Sequence, residues 1–402
     1  MLKSGISIGI VVSGGLVFAA SAPARDLITL GAAISLTGAY TVDGEHTQRG
    51  YELATRKING MGGVKIGDKT YDLKVKYYDD ESTPTRGAEL AERLIKQDGV
   101  QFMLGPYGSG PTKAIAPITE ANKVPMVEGN GSSRALFTNG WHYLFATLST
   151  AEQYLSSAID LVAENASKLG KAPGEIRLAL AFENDAGSQD VRAGVIDAAK
   201  AHGMQIVIDE QLPPELNDMT TVLVKTKALR PDVLVVSGHA KGATTAIRQI
   251  AEMQVRVPVL AMTHCDAADL IGKAPQAAEY TLCATQWAPT MGYKDGLFGT
   301  ASDFAKLFRE AYGYLPPYQA AQSAAAVEVF ADAFKRAGVL DRQKVREALA
   351  ATDIDNFFGH VKFDDAGRNI AKPMVLYQVL GGEFKIVAPS RFAETQAVIP
   401  RP

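Results

Sequence analysis

The chain has 402 residues, more than one ordinary domain needs and about right for two. Hydrophobic residues make up 47% and charged residues 21%, the balance of a soluble globular protein with a real core. A formal net charge of −3 gives no basic field, which sets aside nucleic acid and anionic membrane surfaces as partners.

Residues 1–24 read as a secretory signal. Lys3 supplies a short positive region, an apolar and glycine-rich run covers 6–20, and Ser21-Ala22-Pro23-Ala24 forms an A-x-A-like cleavage site. A buried N-terminal helix is the competing reading, and the run is too short and too glycine-rich for it. No cysteine follows the run, so a lipid anchor has no acceptor thiol. No later apolar run approaches ~18 residues, so no membrane insertion of the mature chain is expected. The expected location is the periplasm.

The pattern after residue 25 is alternation. Residues 28–35 (ITLGAAIS) read as a buried strand, and 44–59 as a helix with Tyr51, Ala54 and Ile58 on one face and Gly60 as its stop. Strands follow at 72–78, 100–104 and 124–127, with helices at 84–97 and 110–122. The theme restarts after a joint near 147–150. Helices are expected at 151–164, 189–201, 220–229 and 242–253, and strands at 176–182, 204–208, 233–236 and 257–262. Such βα runs imply an α/β fold of mostly parallel sheets covered on both faces. A third portion is helical, at 302–312, 318–337 and 341–350. A strand at 361–363 and a hairpin over 375–387, turning on Gly381-Gly382, complete it. The last residues, with Pro389, Pro400 and Pro402, read as loosely held. Cys265 follows the strand at 257–262, and Cys283 lies in a strand-like run at 280–287. In an oxidising compartment they can pair, and two separate buried thiols is the other reading.

Ligands of open parallel sheets bind beyond the carboxyl ends of the strands. The segment after 100–104 is Gly105-Pro106-Tyr107-Gly108-Ser109-Gly110, and that after 124–127 is Glu128-Gly129-Asn130-Gly131-Ser132-Ser133. Both are glycine-rich, hydroxyl-bearing and set backbone N–H groups beside a helix start or turn, which suits a negative oxygen. The second half offers Glu183-Asn184-Asp185-Ala186-Gly187, Ser237-Gly238-His239 and Thr263-His264-Cys265-Asp266 at matching positions. Taken singly, each has a plainer explanation. Glycines make turns, a lone His239 is often structural, and Glu183 and Asp185 suit helix caps. Enzyme signatures are missing. There is no G-x-x-x-x-G-K-[ST], no H-E-x-x-H, no G-x-S-x-G and no G-x-G-x-x-G, and the six histidines do not cluster at metal-ligand spacing. Neither catalysis, a metal nor a cofactor is expected.

Several segments together resemble the type I periplasmic binding proteins of the Leu/Ile/Val (branched-chain amino acid) group. They are 28–38 (ITLGAAISLTG), 49–63 (RGYELATRKINGMGG), 77–81 (YYDDE), 104–109 (LGPYGS) and 124–133 (VPMVEGNGSS). The resemblance implies two doubly wound lobes joined by a three-segment hinge, 25–147 plus 288–372 and 148–287 plus 373–402, closing on ligand. It implies that Ser109, Ser132 and nearby amides hold a carboxylate, with Tyr107, Gly108, Asn130 and Gly131 lining the pocket. His239 takes the place of an aromatic or polar contact, and Thr263 or His264 stands where the family's ammonium-binding glutamate falls. Asp185 and His264 join the candidate ligand contacts, and Glu183, Asp185 or Asp266 are substitutes for that glutamate. The implied role is the substrate-binding component of an ABC importer. It would be a monomer that takes a branched-chain or other hydrophobic amino acid and delivers it to a permease and ATPase complex in the inner membrane. Tyr40, Tyr107 and Tyr318 suit an aromatic carboxylate as the alternative ligand. A periplasmic ligand sensor for a signalling receptor is the alternative role.

Overall fold

The computed structural model describes Met1 and residues 25–402, so the signal sequence expected over 1–24 lies, beyond Met1, outside the described residues. The strands in chain order are β1 Asp26–Ile34, β2 Val64–Ile66, β3 Lys69–Asp79, β4 Phe102–Leu104, β5 Met126–Glu128, β6 Leu144–Ala146, β7 Arg177–Glu183, β8 Gln205–Leu212, β9 Val233–Ser237, β10 Val259–Met262, β11 Leu282–Thr285, β12 Asp353–Asn356, β13 Gly359–Lys362, β14 Val375–Leu380 and β15 Glu383–Ala388. The helices are α1 Thr41–Gly60, α2 Pro84–Lys96, α3 Ser109–Ala121, α4 Ser156–Glu164, α5 Ala186–Ala201, α6 Thr220–Leu229, α7 Ala240–Glu252, α8 Leu270–Lys273, α9 Pro275–Ala278, α10 Ala301–Tyr312, α11 Tyr318–Ala337 and α12 Arg342–Ala350.

Runs such as Leu178–Phe182 and Val233–Val236 are apolar on both faces, so these strands need cover on both sides, as helix-flanked parallel strands have. The first sheet has the order β2-β3-β1-β4-β5-β6, parallel except for the β2–β3 hairpin. The second has the order β15-β14-β11-β10-β9-β7-β8, parallel from β8 to β11 with β14 and β15 antiparallel at its edge. In each sheet the chain reverses direction of winding once, between β1 and β4 and between β7 and β9. Those reversals open crevices at the carboxyl ends of the strands.

The chain passes from the first sheet to the second after β6, leaves it after β11, and returns before β14. The three crossing segments are laced together. Ser149 Oγ donates to Lys372 O at 2.6 Å, Gln286 Nε2 donates to Ser149 O at 3.0 Å, and Asn369 Nδ2 donates to Thr147 O at 2.8 Å. Between the second and third crossings, α11 packs along α1 and supplies most of its length to the core. Phe334 meets Phe102 of the first sheet edge to face at 4.8 Å.

The sequence expectations differ from this at several places, the short helices α8 and α9 among them. The short strands β2 and β6 are additional to those expected. The helix expected over 151–164 is a 3-10 turn at Ala151–Gln153, whose Ala151 amide donates to Ser132 O at 2.8 Å, followed by α4. The strand expected at 361–363 is half of the β12–β13 hairpin. The tail is also anchored. Val398 N donates to Gln378 Oε1 at 2.8 Å, Arg401 N donates to Pro258 O at 2.8 Å, and Ile399 is buried. The hairpin on Gly381-Gly382 forms as expected, both glycines having positive φ, 62° and 76°. Cys265 and Cys283 form a disulfide with Cα atoms 6.0 Å apart, brought together by the pairing of β10 with β11.

Candidate functional site

A cavity lies between the two sheets, where the crevices meet. Its walls are the start of α3, the loop after β5, the starts of α5, α7 and α11, and the loop after β10. Of the nine expected contacts, Tyr107, Gly108, Ser109, Asn130, Ser132, His239 and His264 line it. Gly131 and Asp185 do not line it. The remaining wall comes from Tyr154, Gly187, Ser188, Val191, Ser237, Thr263, Tyr318, Gln319 and Gln322. Gln319 and Gln322, on an alanine-rich helix, gave one overlooked signal. Polar residues at i and i+3 on a stripe otherwise fit for the core mark a wall that faces something polar. Tyr154 and Val191 carried no local signal, because their place depends on how the two halves meet.

The first wall is built around Ser109. Gly108 adopts a φ of 86°, which turns the chain sharply into α3 and sets Ser109 as its first residue. Ser109 Oγ accepts from Ser132 N at 3.1 Å and from Ser133 N at 3.0 Å. Both lone pairs are engaged, so its hydrogen is the free part of the group. The amides of Ser109 and Gly110 at the helix start have no hydrogen-bond partner among the described residues. The amides of Asn130 and Gly131, by contrast, both donate to Glu128 Oε2, the former at 2.6 Å. Burial pushes the Glu128 carboxyl up to about 8 against those two bonds. Glu128 is therefore a neutral strut under the second loop, and the amides left open are those at the start of α3. Gly187 allows the start of α5 to close on this wall, since a Cβ there would stand 3.2 Å from Ser109 Oγ.

The second wall is built around His239. Tyr107 Oη lies 2.7 Å from His239 Nδ1 and 3.0 Å from His264 Nε2, so one hydroxyl of the first sheet's side bridges two imidazoles of the other. Burial opposes a charge on His239, but Asp185, then Glu183 and Asp43, outweigh it and raise its pKa to about 9. Burial and the neighbouring His239 charge push His264 down to about 3. His239 is thus the cation and His264 neutral. His239 Nδ1–H donates to Tyr107, and the Tyr107 hydroxyl donates to His264. Asp185 is held down to about 2: its own burial is outweighed by His239, and Gly187 N and Ser188 N donate to it at 2.9 and 3.1 Å. Further bonds close the cleft. Asp43 Oδ2 accepts from Ala240 N at 3.1 Å, Asp266 Oδ2 from Tyr318 N at 3.3 Å, and Asp190 Oδ2 from Ser133 Oγ at 2.7 Å.

A histidine whose pKa rises on folding stabilises the fold below its unfolded value, and that stabilisation is lost as pH climbs through the folded value. The stability gap between the wild type and His239→Gln is therefore expected to be full below pH 6.5 and to close as the pH rises through about 9. Its full size is at least about 1 kcal/mol, since a tenfold change in proton affinity is worth about 1.4 kcal/mol. Urea titrations of both proteins from pH 6 to 10 measure it, and a gap constant across that range would show that His239 carries no proton in the fold.

A family model described as periplasmic binding protein matches residues 27–383. The chain belongs to the periplasmic binding protein family. A Leu/Ile/Val-binding protein homolog 7 of Brucella suis biovar 1 (strain 1330) is 23% identical, covering 98% of this chain and 99% of that one. Among solved structures, a leucine binding protein, LivK, of Thermotoga maritima MSB8 superposes with a TM-score of 0.76 at 22% identity, covering 90% of this chain and 98% of that one. A solute binding protein of an ABC transporter from Rhodopseudomonas palustris BisB5, in complex with 3,4-dihydroxybenzoic acid, gives a TM-score of 0.78 at 20% identity over 93% and 98%. The shared architecture is that of the type I periplasmic binding proteins, with the parallel sheets expected from the alternating sequence pattern. Among the described residues, no helix is long and apolar enough to cross a membrane.

Proposed function

We propose that this binding protein captures a small organic carboxylate without an α-ammonium group, an aromatic acid being the best fit, as the periplasmic component of an ABC importer. One observation carries the reading: among the described residues, no aspartate or glutamate lines the cavity, while a serine hydroxyl, open helix-start amides and a histidine cation do. Tyr107, Tyr154, Tyr318 and the His264 ring supply flat surfaces for an aromatic body. The lobes 25–147 plus 288–372 and 148–287 plus 373–402 open and close about the laced crossings. Opening is required, because the closed cleft leaves a cavity of about 30 Å³, room for no more than about two waters. The disulfide fits an oxidising compartment. The reading contains no chemical step, so bound ligand is recovered unchanged.

A branched-chain amino acid is the second reading. Asp185 Oδ2 and Glu183 Oε1 are buried without hydrogen-bond partners just behind His239, and the Brucella relative carries the Leu/Ile/Val-binding name. A thermal-shift panel of benzoate, 4-hydroxybenzoate, leucine and phenylalanine separates the two. A ligand present at 100 times its Kd adds about 2.7 kcal/mol to stability. Aromatic acids alone are expected to stabilise. A shift with leucine and none with benzoate would replace the first reading by the second, with Asp185 turned from His239 to the ammonium group.

A further inference from the structure

Behind the cavity wall, Glu183 at the end of β7, Asp185 at the cap of α5 and His239 at the cap of α7 each offer one ligand atom, all within 4.8 Å of one another. His239 Nε2 stands 3.5 Å from Asp185 Oδ2 and 3.7 Å from a Glu183 oxygen. A charge-assisted hydrogen bond would draw such atoms to about 2.7–2.9 Å. The 3.5 Å separation matches instead the spacing of neighbouring ligands on one ion, and the Glu183 oxygen, at 3.7 Å, lies just outside that spacing. With bonds of about 2.0–2.2 Å, tetrahedral neighbours sit about 3.3–3.6 Å apart.

The surroundings point the same way. The Glu183 side chain is only 1% exposed, and its Oε1, like Asp185 Oδ2, has no hydrogen-bond partner among the described residues. Asp43 reaches the same helix start from the first sheet's side, and its Oδ1 is likewise buried and unpartnered. Carboxylate oxygens buried around one imidazole without hydrogen-bond partners are costly where water is scarce, and a divalent cation satisfies them. A metal-bound histidine gives its other N–H to an acceptor that fixes tautomer and ring orientation. Tyr107 Oη, 2.7 Å from Nδ1, is such an acceptor, and the Tyr40 ring holds the imidazole edge to face at 4.6 Å.

We propose that Glu183, Asp185 and His239 bind a divalent cation of the Zn²⁺ type, with solvent in the remaining position. Binding involves no electron transfer. The ion takes the Nε2 lone pair and the carboxylate oxygens, and the proton displaced from Nε2 leaves to solvent. The ion then stands in for the charge of the imidazolium behind the wall. The inference goes beyond the carboxylate reading and fails separately from it, since without metal His239 keeps its own proton.

The test uses the whole protein stripped with a chelator, free of organic ligand, and titrated with Zn²⁺ by calorimetry at pH 7. Two buffers of different ionisation enthalpy report proton release. One equivalent is expected, with roughly one proton released, and Co²⁺ in its place should give the visible absorption of a four- or five-coordinate ion. His239→Gln and Asp185→Asn should each weaken Zn²⁺ binding by at least about 100-fold. His360→Gln, in the exposed cluster with Asp353 and Asp355, should leave it unchanged. The stoichiometry, protons and Co²⁺ spectrum need no variant, so a poorly folding substitution does not blunt the test. No saturable Zn²⁺ binding by the wild type, or binding undiminished in both variants, overturns the site.

Discussion

Ser109→Ala is expected to weaken carboxylate binding by about 1–3 kcal/mol, roughly 5- to 150-fold in Kd. The size follows from how the hydroxyl is held. Ser132 N and Ser133 N occupy its lone pairs, so its hydrogen is aimed without entropy left to lose, and an anionic acceptor makes the bond a strong one. The substitution also leaves two amides of the second loop without their acceptor, so the loop loses its register as the hydroxyl disappears. Ser132→Ala is the comparison. It removes a side chain from the same wall but keeps the Ser132 amide and the Ser109 bonds, and its effect should be smaller. Calorimetry with whichever acid stabilises most in the ligand panel measures both. Equal affinity in the wild type and Ser109→Ala would remove Ser109 from the site.

How much of this was readable beforehand depended on the range of the forces involved. α11 and α6 have the limits expected from sequence, because Pro316-Pro317 and Gly338 bound the one and a plain helical period runs through the other. β2 and β6 were not expected. Each has three residues, too few to show a period, and each forms because a neighbouring strand offers an edge. The site divides in the same way. Ser109 and Ser132 were legible, since glycine-rich turns after parallel strands announce themselves locally. That the second loop's amides are taken by Glu128 and Ser109 was not, because it depends on a glutamate one layer below and a hydroxyl from another loop. His239 was legible as a position and not as a charge. Its cationic state comes from Asp185 and Glu183, which reach it from the cap of α5 and the end of β7, far from His239 in sequence, and from Asp43, which meets it only when the two sheets face each other.

Loss of the Cys265–Cys283 disulfide is expected to lower stability by about 3 kcal/mol, within the usual range of about 2–5 kcal/mol for a native bridge. The bridge spans a sequence separation of 18 residues, and opening it returns that loop's freedom to the unfolded chain. It has a second consequence. The closed loop begins beside His264, which adopts a φ of 58°, and contains Asp266, whose carboxylate accepts from Tyr318 N across the cleft. A left-handed histidine costs of order 1–3 kcal/mol and persists only where its neighbours hold it. Cys265 is that neighbour, tied to β11 of the same sheet. The double variant Cys265→Ser/Cys283→Ser should therefore bind ligand more weakly as well as unfold earlier, while Ser109→Ala affects binding first. Urea unfolding with and without reductant, set beside calorimetry on the double variant, separates the two effects. A double variant that loses stability but keeps full affinity would show that the bridge holds the fold and that the loop carrying His264 keeps its shape without it.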